Sequence, residues 1–264
     1  MEEYITSTKN PLVKRLKMLH NKKYRDLYSQ YLAEGPKIVK EALYNGEDIR
    51  TLAVSKDFPW EEFKEETGIG FAACRVLIMD EGLFKYVSDT KTPQGILAVI
   101  SKKEYKLDEI LKSDSYFLTI LDEIRDPGNL GTIIRTVDAA GGDGVVLTQG
   151  CVDPYSPKVV RSSMGSILRV PVYQVGDGIN FVAELLRQDV HVLVSHLKGS
   201  NLYDWPGGYK KTALVIGSES RGVRDDISKL ASYTVKIPIY GRAESLNASV
   251  AAGILIYEVV RKSK

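Results

Sequence analysis

From residue 117 onward, short apolar runs with the composition of β-strands alternate with longer stretches of helical periodicity. The strand-like runs fall at residues 117–121, 145–147, 190–194, 213–216 and 235–237. This alternation is typical of a parallel sheet, because a helix carries the chain back across the sheet before the next strand starts in the same direction. The sequence therefore predicts an α/β domain with a parallel sheet in the C-terminal half.

The N-terminal half carries a smaller pattern of the same kind. Buried strands are predicted at residues 51–54, 75–78 and 95–100, separated by helical stretches such as 37–43 and 81–87. The polar stretch that follows the last of these strands places the domain junction between residues 101 and 115. We therefore expect a small α/β domain at 1–103, a linker at 104–114 and a larger domain at 115–264.

Composition excludes several classes of protein. The net charge is only +2, so overall charge does not indicate a polyanionic partner. Two cysteines and three histidines offer neither a disulfide framework nor metal-ligand spacing, so we expect no metal and a reducing, cytoplasmic environment. No apolar run reaches the length of about 18 residues that suggests a membrane span.

The first 40 residues are basic, with nine Lys and Arg against four Asp and Glu. Leu12, Leu16 and Leu19 recur at helical spacing after Asn10-Pro11, and basic residues fall mostly between them. An amphipathic helix with a basic face is predicted. Such a face is either solvated surface or a site for phosphate groups.

Three stretches of the larger domain each follow a predicted strand and carry polar residues. In the first, residues 121–135, a Pro-Gly turn leads to a helix that we expect to begin near Asn129, with Asn129 as its N-cap and Arg135 in the second turn. Ligands bind at the carboxyl edge of a parallel sheet, where such turns lie. Taken alone, however, a structural cap and a surface arginine explain both residues.

The other two stretches allow the same two interpretations. In residues 214–222 the glycines permit close approach of the backbone to a ligand, and Glu219 lies at the exit of the strand. Residues 237–247 lead into an apolar helix at 248–260, for which Ser245 is the expected N-cap. Capping explains Ser245, and Asn247 is unremarkable in a first helical turn.

Together, the three stretches resemble the motifs of the SpoU (TrmH-like) branch of the SPOUT RNA methyltransferases. The matching residues are Asp126-Pro-Gly-Asn-Leu-Gly with Arg135, Gly217-Ser-Glu-Ser-Arg-Gly222, and Ile237-Pro with Ser245-Leu-Asn247. Residues 153–165 resemble the connecting segment of the family, whereas Ser218 stands where relatives often have Asn. In the N-terminal half, Asn10-Pro11, Glu34-Gly35 and Pro93-Gln94-Gly95 are similar to the RNA-binding extension of the ribosomal-RNA enzymes, which resembles ribosomal protein L30e.

The resemblance implies a SPOUT domain, in which a parallel sheet is threaded into a trefoil knot, that binds S-adenosylmethionine and works as a homodimer with each active site near the subunit interface. It assigns catalytic roles to Asn129, Arg135, Glu219, Ser245 and Asn247, and cofactor contacts to Gly217, Ile237 and Leu246. The family mechanism treats the arginine as general base. Because a guanidinium holds its proton strongly, the role of general base would require a strong local perturbation, and contact of Arg135 with the target hydroxyl or a nearby phosphate is the alternative.

The resemblance also favours an RNA-binding role for the basic N-terminal face. The residues expected to meet phosphates are Lys14, Arg15, Lys17, Lys22, Lys23 and Arg25. The expected reaction is 2′-O-ribose methylation of a guanosine in large-subunit (23S) ribosomal RNA, with adenosine as the second candidate base. A transfer-RNA methyltransferase and a catalytically silent ribosome-assembly factor are the alternatives. A nicotinamide-dependent oxidoreductase is disfavoured, because Gly68-Ile-Gly70 lacks the third glycine of the dinucleotide-binding motif.

Overall fold

The computed structural model describes residues 2–68, 74–219 and 221–263, so that Ser220 of the second motif and Gly70 lie outside the described residues. The chain forms two compact units. The N-terminal unit comprises Met1–Glu104 and Tyr155–Leu168, and the C-terminal unit comprises Tyr105–Pro154 and Arg169–Lys264.

The described residues of the N-terminal unit form a five-stranded mixed sheet in the order β1-β4-β3-β5-β2. Its strands are β1 (Glu2–Ile5), β2 (Gln30–Glu34), β3 (Ile49–Ser55), β4 (Arg75–Met79) and β5 (Ile96–Ser101). Its helices are α1 (Pro11–Met18), α2 (Lys22–Tyr28), α3 (Pro36–Tyr44), α4 (Trp60–Thr67), α5 (Glu81–Val87) and α8 (Pro157–Ser162). The small α/β domain is confirmed, with three of its strands where they were predicted.

The basic amphipathic helix is confirmed as α1. Its N-cap is Asn10, whose Oδ1 accepts a hydrogen bond from the backbone N–H of Leu12 at 2.8 Å, and Pro11 occupies the first helical position. Val13, Leu16 and Leu19 are buried in the core of the unit with Phe84. Leu16 and Leu19 are buried as predicted, whereas Leu12 is only partly buried and Val13 is the buried residue of the first turn.

Across its described residues the C-terminal unit forms a six-stranded sheet, in which every strand pairing is parallel and the order is β11-β9-β10-β6-β7-β8. Its strands are β6 (Tyr116–Asp122), β7 (Gly144–Leu147), β8 (Val172–Gln174), β9 (His191–Asn201), β10 (Lys211–Gly217) and β11 (Tyr233–Lys236). Its helices are α6 (Leu107–Leu111), α7 (Pro127–Ala140), α9 (Gly178–Arg187), α10 (Asp225–Ser228) and α11 (Ala248–Ser263), of which α7 and α11 pack together. The predicted parallel sheet is confirmed.

Two segments differ from the expected division of the chain. Helix α6 lies inside the expected linker, and Leu111 is buried with Tyr116 and Leu118 in the core of the C-terminal unit. Tyr155–Leu168 leaves that unit and belongs to the N-terminal one, where the Tyr155 ring lies 4.9 Å from that of Tyr31 and α8 packs against β2. No helix within the described ranges is long and apolar enough to cross a membrane.

Candidate active site

Two neighbouring strands end side by side at the carboxyl edge of the parallel sheet. Strands β6 and β10 pair in parallel, and Asp122, the last residue of β6, lies opposite Gly217, the last residue of β10. The turn after β6 leads into α7, and the loop after β10 contains Glu219. The first and second motifs therefore start next to each other, as expected for a ligand-binding edge.

Helix α7 begins earlier than predicted. Asp126 is its N-cap, because its Oδ1 accepts the backbone N–H of Asn129 at 2.8 Å, and Pro127 occupies the first helical position. The prediction that Asn129 caps this helix is therefore wrong. As the third helical residue, Asn129 keeps its side-chain amide for other contacts.

The side chains of Asn129, Glu219 and Asn247 meet, and they are called here the Asn-Glu-Asn cluster. Nδ2 of Asn129 donates to Oε1 of Glu219 at 2.8 Å, and Nδ2 of Asn247 donates to the same oxygen at 2.6 Å. Nδ2 of Asn247 also lies 3.0 Å from Oδ1 of Asn129. One residue from each of the three motifs thus takes part in a single hydrogen-bonded group.

The start of α11 completes the surroundings of Glu219. The backbone N–H of Ala248, the first residue of α11, donates to Oε1 of Glu219 at 3.2 Å. A carboxylate is favoured there, because the first N–H groups of a helix have no partner within the helix and carry partial positive charge. Oε2 of Glu219 accepts no hydrogen bond from the described residues, and it is left for a ligand or for water.

The cap of α11 is Asn247. Its Oδ1 accepts the N–H of Ser249 at 3.0 Å, and its carbonyl accepts the N–H of Ala251 at 2.9 Å. Ser245 was the expected cap, and that prediction is wrong because the helix begins two residues too late for it. The exposed Ser245 makes no hydrogen bond to any described residue.

Arg135 lies apart from the cluster. It is exposed on the third turn of α7, and its side chain has no hydrogen bond or ion pair with the described residues. Six residues of α-helix place it about 240° around the axis from Asn129, so the two side chains leave the helix in different directions. Within one copy of the chain, the five expected catalytic residues therefore divide into the three of the cluster and the separate Arg135 and Ser245.

The residues expected at the cofactor fall on two loops. After Gly217 the chain turns back, and the N–H of Gly222 donates to the carbonyl of Ser218 at 2.8 Å. A Cβ at position 217 would overlap the backbone of Gly222 and Val223, so the turn itself requires Gly217.

The second loop, residues 237–246, is flanked by the partly buried side chains of Ile237 and Leu246. Within the described part of the chain, residues 237–246 make no backbone–backbone hydrogen bond. Its N–H and C=O groups can therefore bond a ligand such as an adenine ring and a ribose, and the two apolar side chains suit the faces of the base. The residues present fit an adenosine-containing cofactor.

Neither a reactive thiol nor a metal site accompanies these loops in the described ranges. Cys151 lies just after β7, and its thiol donates to the carbonyl of Leu121 at 3.2 Å. Burial raises the pKa of the Cys151 thiol to about 11, so it stays neutral near pH 7. No group of three His, Cys, Asp or Glu side chains that could hold a metal ion occurs among the described residues.

Five of the six expected RNA-binding residues are exposed on the N-terminal unit, namely Lys14, Arg15, Lys17, Lys22 and Lys23. The guanidinium of Arg15 lies 4.1 Å from the centre of the Tyr28 ring and donates to Gln30 at 3.1 Å. Lys22 pairs with Asp26. These contacts leave the basic face open to solvent.

Arg25 is a correction. Its side chain is only 3% exposed, and Nη1 donates to the carbonyls of Leu19 and His20 at 2.8 and 2.7 Å. These carbonyls follow the end of α1, where a cation satisfies acceptors that the helix leaves unpaired. Arg25 therefore stabilises the fold and is not a surface contact for phosphate.

Three further polar residues, which the sequence did not single out, form a hydrogen-bonded group in the same unit: Asp122 accepts from both Thr148 and Arg224. The signal for Asp122 in the sequence is an acidic residue at the end of a strand that is apolar except for Thr119. Arg224 gave none, because it lies two residues beyond the second motif.

A parallel α/β unit with this cluster at its carboxyl edge has the features of the SpoU methyltransferases. The model of the SpoU rRNA Methylase family matches residues 116–257, and that of the MRM3-like substrate binding domain matches residues 10–98. The chain belongs to the SpoU rRNA methylase family. The resemblance inferred from the three motifs is confirmed, and the likeness of the first domain to ribosomal protein L30e stays a prediction.

Relatives of known name cover nearly the whole chain. A Bacillus subtilis (strain 168) protein, 23S rRNA (guanosine(2553)-2′-O)-methyltransferase RlmP, is 37% identical over 97% of this chain and 98% of its own length. The 23S rRNA (uridine(2479)-2′-O)-methyltransferase of Streptomyces viridochromogenes is 28% identical over 93% of this chain and 87% of its own length. The AdoMet-bound rRNA methyltransferase of Sinorhizobium meliloti has a TM-score of 0.85 at 32% identity, and the match covers 98% of both chains.

Proposed function

We propose that this protein transfers a methyl group from S-adenosylmethionine to the ribose 2′-hydroxyl of a guanosine in 23S ribosomal RNA. The Asn-Glu-Asn cluster carries the proposal, because three residues that the family motifs assign to one site meet there through direct hydrogen bonds. Membership of the SpoU family supports the reaction. The 37% identity with RlmP, over nearly the full length of both chains, supports guanosine and ribosomal RNA.

The cofactor supplies an electrophilic methyl group on a positively charged sulfur. Gly217 and the loop of Ile237 and Leu246 would hold its adenosine part through open backbone groups. A ribose hydroxyl is a weak nucleophile, so the protein must align it and help it to lose a proton. We assign alignment to Asn129 and Asn247, which Glu219 holds in place, and we assign to Ser245, on the loop before α11, a role in shaping the transfer site.

We also propose that a second copy of the chain completes each site. Val250, Ile254 and Tyr257 lie on one side of α11 at helical spacing, and Val250 and Tyr257 are 52% and 53% exposed. Helix α11 packs against α7, which carries Arg135. In a symmetric dimer through this face, Arg135 of one copy would reach the cluster of the other and contact the target hydroxyl or a neighbouring phosphate.

We assign RNA binding and methyl transfer to different domains. Residues 1–103 bind RNA through Lys14, Arg15, Lys17, Lys22 and Lys23, and residues 115–264 carry out the transfer. The match of residues 10–98 to a substrate-binding domain supports this division. A trefoil knot around the second and third motifs, a site that needs no metal and a cytoplasmic location complete the proposal. The family resemblance supports the knot, the small number of cysteines and histidines supports a site without metal, and the low cysteine content supports the location.

Transfer of a labelled methyl group tests the reaction. The purified protein, S-adenosylmethionine with a tritiated methyl group and 23S RNA that lacks its natural modifications are mixed, and the RNA is digested to nucleosides. We expect the label in 2′-O-methylguanosine. Label in a base, or in transfer RNA offered in parallel and not in 23S RNA, would contradict the proposal. Binding of RNA without any transfer would favour an assembly factor.

A further inference from the structure

Asp122 is fully buried at the end of β6 and is bonded by two other loops of the same unit. Its carboxylate accepts the backbone N–H of Arg224 at 3.0 Å and the side-chain Nε of Arg224 at 3.1 Å. It also accepts the hydroxyl hydrogen of Thr148 at 2.9 Å, just beyond β7. Burying a carboxylate is costly unless charged and polar donors surround it, and here they do.

These contacts close the loop that carries Glu219. The loop starts at Gly217, which is paired with Asp122 in the sheet, and it reaches Arg224 seven residues later. Its middle is tied by the bond from the N–H of Gly222 to the carbonyl of Ser218. Both ends of the loop are therefore fixed to Asp122, one through the sheet and the other through Arg224.

Glu219 lies between these fixed ends. Its Oε1 accepts from Asn129, Asn247 and Ala248 at 2.6 to 3.2 Å, a geometry that tolerates little displacement of the loop. Asp122 and Arg224 touch none of these three residues through a hydrogen bond among the described residues. Any influence they have on the cluster must act through the position of the loop.

We infer that Asp122 and Arg224 are a positioning pair for the methyl-transfer reaction, which set the place of Glu219 by closing loop 217–224 onto the end of β6. The inference rests on the proposed function. It differs from a general stabilising role, since an ion pair that only stabilises the unit would leave the rate of the fully folded protein unchanged. If the pair positions Glu219, breaking the pair lowers the rate of methyl transfer, and this loss occurs only in a protein that still has Glu219.

The test is a double-mutant cycle between Asp122→Asn and Glu219→Ala. The observable is the single-turnover rate of methyl transfer with saturating S-adenosylmethionine and RNA, at a temperature where circular dichroism shows every variant folded. Asp122→Asn keeps the size of the side chain but loses its charge, and it turns an N–H group toward the donors of Arg224. We expect a rate loss between about 10- and 100-fold, typical of a misplaced catalytic group.

In the Glu219→Ala background, we expect Asp122→Asn to lower the rate by less than about twofold, because residues that act through one another are not additive. Glu47→Gln is the matched control. Glu47 is a buried carboxylate paired with Lys103 in the N-terminal unit, so its variant loses a comparable ion pair in the other unit. The control should keep the wild-type rate.

The outcomes separate this inference from the proposed function. A wild-type rate for folded Asp122→Asn, or equal losses in both backgrounds, would overturn the positioning role while leaving the methyltransferase intact. A wild-type rate for Glu219→Ala would overturn the assigned site and the inference with it. If Asp122→Asn does not fold, Arg224→Ala and Arg224→Lys replace it. Arg224→Ala should lose rate, and Arg224→Lys should recover part of it.

Discussion

Oε1 of Glu219 accepts Nδ2 of Asn247 at 2.6 Å, and the next residue, Ala248, donates its backbone N–H to the same oxygen. This relationship joins the loop after β10 to the first turn of α11. The side-chain oxygen of Asn247, Oδ1, accepts the backbone N–H of Ser249 and so caps that helix. One asparagine thus has both a structural and a site-forming role.

Loss of the Glu219 carboxylate is expected to slow methyl transfer. Glu219→Ala removes the acceptor shared by Asn129 and Asn247, whereas Glu219→Gln keeps an acceptor oxygen but no charge. We expect a fall in kcat of at least about tenfold for the alanine variant and a smaller fall for the glutamine variant. Glu184→Gln, an exposed position on α9, is the control and should match the wild type. Equal activity of all three variants would remove Glu219 from the mechanism.

The separation of Arg135 from the cluster predicts complementation between inactive subunits. Arg135→Ala and Glu219→Ala should each keep no more than about a tenth of the wild-type activity as pure proteins. If Arg135 acts on the partner's site, a mixture that exchanges subunits contains hybrid dimers with one intact site. About a quarter of the wild-type activity should then return, from random pairing of equal amounts in a twofold dimer. Absence of any recovery, with subunit exchange shown by mass, would contradict this arrangement.

The apolar face of α11 is expected to hold the dimer. Ile254→Lys places a charge between Val250 and Tyr257, and burying an unpaired charge in an interface is strongly unfavourable. Sedimentation should show the wild type as a dimer and Ile254→Lys as a monomer with little activity. Glu184→Lys introduces the same side chain on α9 and should stay dimeric. A monomeric wild type with full activity would disprove the role of this face.

Salt dependence is expected to report on the basic face. Lys22→Gln with Lys23→Gln should weaken RNA binding and lower the slope of log affinity against log salt by about one unit for each phosphate that the variant no longer neutralises. Glutamine is preferred to a negative residue, because Glu at position 22 would repel Asp26. Lys56→Gln, at an exposed position after β3, is the control. An unchanged slope in the double variant would show that this face does not meet RNA.

The sequence could predict the parallel sheet and the three members of the cluster, because apolar strands and the polar turns after them are both local signals. It could not decide between neighbouring cap residues. Asp126 and Asn129 both suit an N-cap, as do Ser245 and Asn247, and only the observed helix starts separate them. Pro127 was the better signal, since proline favours the first helical position.

Other features depend on contacts distant in the sequence. Arg25 has the sequence environment of a surface residue, yet it is buried on the carbonyls of Leu19 and His20. Strands β1 and β8 have only four and three residues, too few to show a reliable alternation of side chains. Nothing in residues 155–168 indicated that they would join the N-terminal unit, because neither their composition nor their periodicity identifies the surface that buries them.

The most direct test of the central claim is a map of 2′-O-methyl groups in 23S ribosomal RNA from cells with and without this protein. We predict that one guanosine loses its 2′-O-methyl group when the gene is deleted. The modification should return with the wild-type gene and stay absent with the Glu219→Ala variant. An identical map in the presence and absence of the protein would contradict the claim that it methylates this RNA.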